Sequence, residues 1–217
     1  MSPSPGLSYI IGVYLGDGYI RAREREYHYI ISLKVKDKEF AKKFARYLKK
    51  LGLKPRIRQE SDGRRLRWVA EAYSKSLYIF LKQSLENLVK IAKRYPKEFL
   101  QGLFDSEGCT GITPSRKGLL IRICLINSNL RLLQITQQLL EDFSILSKIQ
   151  LSTPKGSIVK TPSGYSRASS DIYRLVICRK DSIKKFATEI GFSIKRKYKK
   201  LIEALRLLEK YHPRKSF

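Results

Sequence analysis

The sequence is poor in the residues on which many hydrolytic and redox mechanisms depend. Cysteine occurs three times, as Cys109, Cys124 and Cys178. An odd number with no CxxC pair argues against a disulfide framework and against a zinc site. Histidine occurs twice, as His28 and His212, so a histidine cluster or a His–Cys nucleophile pair is poorly supplied. No apolar run reaches the length of a membrane-spanning helix. The opening MSPSPG lacks the charged-then-apolar pattern of a secretory signal. An intracellular protein with no membrane partner is expected, cytoplasmic in a prokaryote and organellar as the other option. Acidic residues are scarce as well: 19 Asp and Glu stand against 45 Lys and Arg, a net charge of +26 over 217 residues. A surplus of this size selects a polyanionic partner, most often nucleic acid.

What the chain does contain is an internal repeat. Ile10-Ile11-Gly12-Val13-Tyr14-Leu15-Gly16-Asp17-Gly18 and Leu100-Gln101-Gly102-Leu103-Phe104-Asp105-Ser106-Glu107-Gly108 share one pattern: apolar, x, Gly, apolar, aromatic, x, small, acid, Gly. The copies lie 90 residues apart. Each reads as an apolar helix followed by a strand pair, an amphipathic helix, a second strand pair and further helix. In the first half, YIRAREREYHYIISLKV is strand-like. DKEFAKKFARYLKKLG follows as a helix with Phe40, Phe44, Tyr47, Leu48 and Leu51 on one face, Asp37 placed to cap it and Gly52 to end it. RIRQE and RRLRWVAEAY then form strands around an SDG turn. One helix carrying Leu77, Phe80, Leu81, Leu85 and Leu88 closes the half. In the second half GLLIRICLI, KIQLS and DIYRLVICR are strand-like, and Leu130, Leu133, Gln137 and Leu140 fall in helical step. The connection TPKGSIVKTPSGYSRASS reads as a mobile basic loop. The halves divide as 1–95 and 96–217, with Pro96 in the first turn of the second motif helix.

Interior glycine costs a helix about 1 kcal/mol relative to alanine. Gly12 and Gly16 lie four apart and clear one face, as do Gly102 and Ser106, so the two motif helices are expected to pack through these small residues. That packing would bring Asp17 beside Glu107, with Gly18 and Gly108 as left-handed helix ends. Two carboxylates at helix C-termini repel each other and oppose the helix dipole unless a cation lies between them. Mg²⁺ takes oxygen ligands of this kind. The arrangement suits metal-assisted phosphodiester cleavage.

The two nine-residue segments resemble the motif of the LAGLIDADG homing endonucleases, in the monomeric two-repeat branch. The resemblance implies an α+β fold of two pseudo-symmetric αββαββα repeats. Each repeat has a four-stranded antiparallel sheet, the two sheets form a saddle over the major groove of duplex DNA, and the motif helices pack at the centre. It implies a hydrolase that cleaves both strands of a long site with a divalent metal and leaves 3′ overhangs, encoded by an intron-type reading frame. Asp17 and Glu107 would be the metal-binding acids, with Gly16 and Ser106 beside them. Mg²⁺ would be the cofactor, Mn²⁺ a substitute, and Ca²⁺ an ion that supports binding without cleavage. Leu15 departs from the name-giving pattern, where an acid stands. The family also places a basic residue near the scissile phosphates; Lys195 is the best match in the second half and Lys90 a candidate in the first. Asp37 and Ser128 fall where the family places a polar residue that organises water.

Strand alternation assigns a DNA face. It comprises Arg21, Arg23 and Arg25; His28, Ser32, Lys34 and Lys36; Arg56 and Arg58; Arg65, Arg67 and Glu71. In the second half it comprises Arg122; Lys148, Gln150 and Ser152; and Arg174, with Arg116, Lys117 and Arg167 on the connecting turns. Arginines spaced by two on one strand repel each other unless an anion lies over them. The alternative reading on the same fold is an RNA maturase, which would add intron RNA as a partner.

Overall fold

The structure is a computed structural model that describes residues 1–23, 25, 27–61, 63, 66–115, 118–161 and 164–211. The chain forms two compact units. One comprises Met1–Ser106 with Ile190–Tyr198, the other Glu107–Glu189 with Lys199–Phe217.

The first unit opens with helix α1, Pro5–Tyr14. Ser4 caps it by accepting from the Leu7 N–H at 3.2 Å, and Pro5 occupies the first turn, where a missing N–H costs nothing. Every residue from Gly6 to Val13 is buried, as expected of a helix apolar on all sides. Strands β1 (Gly18–Arg23), β2 (His28–Val35), β3 (Arg56–Ser61) and β4 (Leu66–Tyr73) form one antiparallel sheet in the order β1-β2-β4-β3. Between β2 and β3 runs α2, Lys38–Lys50, which buries Phe40, Ala41, Phe44, Ala45 and Leu48 and turns its lysines outward except Lys43, which reaches inward to Asp105. Gly52, at φ +81°, ends it as expected.

In place of the single closing helix expected, two short helices follow, α3 (Lys75–Leu81) and α4 (Leu85–Ala92). Ser84 divides them: its extended backbone and its hydroxyl, accepting from the Asn87 N–H, start a new helix.

Helix α5, Pro96–Glu107, carries the second motif and begins at Pro96 as expected. Strands β5 (Gly108–Ser115), β6 (Gly118–Asn127), β7 (Lys148–Thr153) and β10 (Ile172–Ile177) form the sheet of the second unit in the order β5-β6-β10-β7, again antiparallel. Helix α6, Leu130–Glu141, lies between β6 and β7 and is capped by Asn129. Its buried stripe is Leu132, Leu133, Ile135, Thr136, Leu139 and Leu140, so Leu130 and Gln137 stand at its edge. The basic connection expected to be a loop contains a two-stranded antiparallel hairpin, β8 (Ile158–Thr161) with β9 (Gly164–Arg167). Short runs containing β-branched and aromatic residues, Ile158, Val159, Thr161 and Tyr165, account for it. Helices α7 (Lys180–Glu189) and α8 (Lys195–Tyr211) complete the chain.

Two strand-opening glycines differ from expectation. Gly18 and Gly108 are absent from the left-handed positions; each passes directly into its strand. At Gly18 the requirement is space, because a Cβ there would lie 2.8 Å from the Tyr14 Cα.

Candidate nucleic-acid and metal site

The first unit builds its site at the ends of α1 and α5. The crossing of these helices is set by the motif glycines. A Cβ on Gly12 would stand 2.2 Å from the Phe99 carbonyl oxygen, and one on Gly102 would stand 2.3 Å from that of Tyr9. Backbone meets backbone at both places, and only glycine fits. The outer small residues, expected on the same helix faces, stand differently: Gly16 lies in the turn beyond the end of α1, and the Ser106 hydroxyl donates to the Gly102 carbonyl at 3.1 Å.

Beyond the crossing, α1 ends at Tyr14, and Asp17 projects into solvent three residues later. Helix α5 continues through Glu107, its last residue, which is half-buried. A cavity of about 170 Å³ opens beside Asp17, walled by Lys34, Lys36, Asp37, Arg67, Ser106 and Lys197 among others. Partial desolvation raises the Asp17 carboxyl above its ordinary value, while the charges of Lys197 and Arg67 pull it back.

The Lys197 ammonium closes the C-terminal end of α5. It donates to the carbonyls of Phe104, Asp105 and Ser106 at 3.2, 2.6 and 2.9 Å. A helix C-terminus presents unpaired carbonyls and the negative end of its dipole, so a cation is favoured there. The oxygens at this end of the unit, the Asp17 carboxylate and the backbone carbonyls of α5, are of the kind a hard divalent cation such as Mg²⁺ takes, but Lys197 holds those carbonyls here, and the described residues contain no group of three or more His, Cys, Asp or Glu that could hold a metal ion.

Asp105 supports the arrangement from below. It is 1% exposed and fully bonded. The Tyr9 hydroxyl donates to its Oδ2 at 2.8 Å, the Ser193 N–H donates to its Oδ1 at 2.8 Å, and the Ser193 hydroxyl donates to its Oδ2. The Lys43 ammonium lies 3.7 Å from Oδ2 and 4.4 Å from the centre of the Tyr9 ring, and it also donates to Gln101. Burial lowers the Lys43 ammonium and, with the Asp105 charge second, raises the Tyr9 phenol far above its ordinary range. These bonds fix the Ile190–Tyr198 segment, and with it Lys197, to α5.

Lys195, the basic residue expected near the phosphates, does not line the cavity. Its backbone N–H donates to Glu39, and it is Arg196 and Lys197 that face inward. All three sit in the first turn of α8, where consecutive side chains point about 100° apart. Lys90 lies on α4, outside the cavity lining, where its ammonium donates to Asn87. Asp37 makes no side-chain cap on α2; it pairs with Arg196 at 3.0 Å.

Strand register gathers the expected basic residues on one face of the first sheet. Arg21 faces Ile30, Arg23 faces His28, Tyr19 faces Ser32, and Ser32 faces Glu71, which faces Arg56. Lys34 and Arg58 both face Val69, and Arg67 faces Glu60. Ser32 shares this face but is fully buried, so its hydroxyl does not reach solvent. Lys36 lies one residue past β2, on the cavity beside Asp17. Arg25 is exposed in the β1–β2 connection.

In the second sheet Arg122 faces Gly111, Arg174 faces Gln150, and Arg174 bonds Ser152 at 3.0 Å; Lys148 faces Val176. Arg167 is exposed on β9. Arg65, Arg116 and Lys117 lie outside the described residues. No helix among the described residues is long and apolar enough to cross a membrane.

This geometry can be set beside known proteins. The sequence pattern of the LAGLIDADG-like domain matches residues 5–90 and 94–191. Over 212 residues the chain is 42% identical to the uncharacterized protein MJ0398 of Methanocaldococcus jannaschii, covering 97% of this chain and 75% of that one. Its fold is similar to that of I-DmoI, solved in complex with DNA and Mn, with a TM-score of 0.60 and 22% identity over 88% of this chain and 98% of that one. It is also similar to the homing endonuclease I-WcaI bound to its DNA recognition sequence, with a TM-score of 0.62 and 17% identity over 93% and 88%. With the pattern matched in both halves, the chain belongs to the LAGLIDADG-like domain family.

Proposed function

We propose that the chain is a site-specific DNA endonuclease of the homing type. It binds a long duplex site as a monomer and makes a staggered double-strand break with 3′ overhangs. The observation that carries this reading is the end of the motif helices. An exposed carboxylate, Asp17, stands beside a lysine held by three helix-end carbonyls, at the margin of a sheet face rich in arginine. Two solved structures of this fold, I-DmoI and I-WcaI, are complexes with DNA, the former with Mn.

In this reading Asp17 and Glu107 are the acids that would hold Mg²⁺, with Gly16 and Ser106 beside them in the sequence. A divalent metal held there would supply Lewis acidity, for activating water and for stabilising the leaving oxygen. Lys197 places a positive charge where the phosphate gains negative charge, the role first sought at Lys195. The sheet faces hold the duplex through phosphates and base edges. Mn²⁺ replaces Mg²⁺ in this reading, and Ca²⁺ supports binding alone.

The test is selection from a library of randomised duplexes by binding in Ca²⁺, then incubation of the selected site with Mg²⁺ or with EDTA. A single Mg²⁺-dependent cut with 3′ overhangs is expected, lost in Asp17→Asn and in Glu107→Gln while binding persists. Lys197→Met is expected to slow cleavage about 10²- to 10³-fold. Selective binding without any cut, in Mg²⁺ or Mn²⁺ across a range of temperatures, overturns the nuclease reading.

A further inference from the structure

The face of the first sheet is not uniformly basic. Two acids, Glu60 and Glu71, sit among its arginines, and both bind the same one. Arg58 Nη2 lies 2.5 Å from Glu60 Oε1, and its Nη1 lies 3.2 Å from Glu71 Oε2. The other oxygen of Glu60 lies 2.8 Å from the Lys34 ammonium. The line Lys34–Glu60–Arg58–Glu71 spans β2, β3 and β4. The side chain of Glu71 is 14% exposed and that of Arg58 is 46% exposed. The guanidinium is therefore gripped at both terminal nitrogens while much of it faces solvent.

A face built only to hold phosphates gains nothing from these acids. Affinity for the duplex backbone grows with each uncompensated cation, and the four residues of this line cancel to zero. Their effect is on geometry. A free arginine loses rotamer freedom when it docks, whereas one fixed in advance does not. Two of the five guanidinium donors are occupied and three remain, in a rigid plane. A fixed plane with spare donors suits a base edge that presents two acceptors side by side, which in duplex DNA is the O6 and N7 of guanine. The flanking carboxylates repel a phosphate that approaches the same group.

We propose that Arg58, braced by Glu60 and Glu71, is a specificity-determining residue that reads a guanine, while arginines such as Arg21 on the same face hold phosphates. The proposal rests on the DNA-binding reading above.

Its test uses the full-length protein, a library of randomised duplexes and binding in Ca²⁺, with the salt dependence measured on the selected site. Arg58→Ala is expected to relax the preference for guanine at one base pair by about 5- to 150-fold, leaving other positions and the salt slope unchanged. Arg21→Ala is expected to weaken binding evenly across sequences and to lower the salt slope by about 0.9. Glu71→Gln supplies the opposed readout. It adds one net positive charge, so affinity for random duplex rises, while the preference at the Arg58 position falls. A merely structural role would lower both. If the wild type selects a site and Arg58→Ala weakens binding evenly with a smaller salt slope, Arg58 is a phosphate contact and the proposal is overturned. If the wild type binds no duplex at all, the DNA-binding reading fails first and this proposal falls with it.

Discussion

The two motif helices share a nine-residue pattern and a crossing, yet they end differently. At the crossing they are equivalent: Gly12 and Gly102 each admit the partner's backbone to a distance no side chain would allow. Past it they diverge. Helix α1 stops at Tyr14 and leaves Leu15, Gly16 and Asp17 in turns, whereas α5 remains helical through Glu107. The sixth motif place explains much of the difference. In the first copy it is Leu15, half-buried; in the second it is Asp105, buried and bonded to Tyr9 and Ser193 with Lys43 alongside. Lys197 then satisfies the carbonyls that a longer helix leaves open. The lesson is that the repeat preserves steric geometry and lets the polar support vary. Close packing constrains both copies alike, whereas a buried carboxylate is tolerated only where donors surround it.

Making the second copy resemble the first is the strongest way to break this comparison. Asp105→Leu removes the acceptor for Tyr9 and Ser193 and leaves the Lys43 ammonium buried without its carboxylate. Loss of one partner from a buried ion pair costs about 3–5 kcal/mol. Urea unfolding of the two proteins measures it, and a loss below about 1 kcal/mol would show that Asp105 does not support the fold through these bonds. Asp105→Asn should recover part of the loss, because one amide oxygen still accepts.

The next test addresses the part that the copies share. Gly12→Ala and Gly102→Ala each replace glycine inside a helix, a change that by propensity alone stabilises by about 1 kcal/mol. Here each added methyl meets a backbone carbonyl oxygen at 2.2 or 2.3 Å, and backbone cannot swing aside. The overlap should outweigh propensity and leave a net loss of about 1–3 kcal/mol in either variant. Similar losses at the two positions would confirm the symmetric crossing; a stabilised variant would refute it.

The same contrast explains what could be read in advance. The paired helices, the order of elements and both sheet faces follow from apolar periodicity and strand alternation, which are local. Asp17 and Glu107 stand out because each occupies the same place in a repeated pattern that opens on an apolar run. The role of Asp105 was not legible, since its partner Ser193 lies 88 residues further on and only the fold unites them. The substitution of acid for Leu15 was the available signal. Lys197 escaped because Lys195, Arg196 and Lys197 are chemically alike, and the first turn of α8 aims them differently. The hairpin β8–β9 and the break at Ser84 escaped for a simpler reason: short elements carry little periodicity, and one cap residue decides them.

The smallest expected effect concerns the end of the first copy. Burial raises the Asp17 carboxyl above its ordinary value, and Lys197 and Arg67 offset this only in part. A raised carboxyl means that the folded protein binds a proton more readily than the unfolded chain. Stability contributed by the protonated form is therefore complete below the ordinary carboxylate range and is lost as pH rises through the folded value. At neutral pH the ionised Asp17 is a slight liability. Asp17→Asn should accordingly be marginally more stable than the wild type near pH 7, and the gap should close towards pH 4. Comparing the two proteins at each pH cancels the titration of every other group. An Asn variant that is less stable at neutral pH would mean that Lys197 and Arg67 hold the Asp17 charge more strongly than burial disfavours it. The first motif would then carry, as the second does at Asp105, a carboxylate that supports the fold.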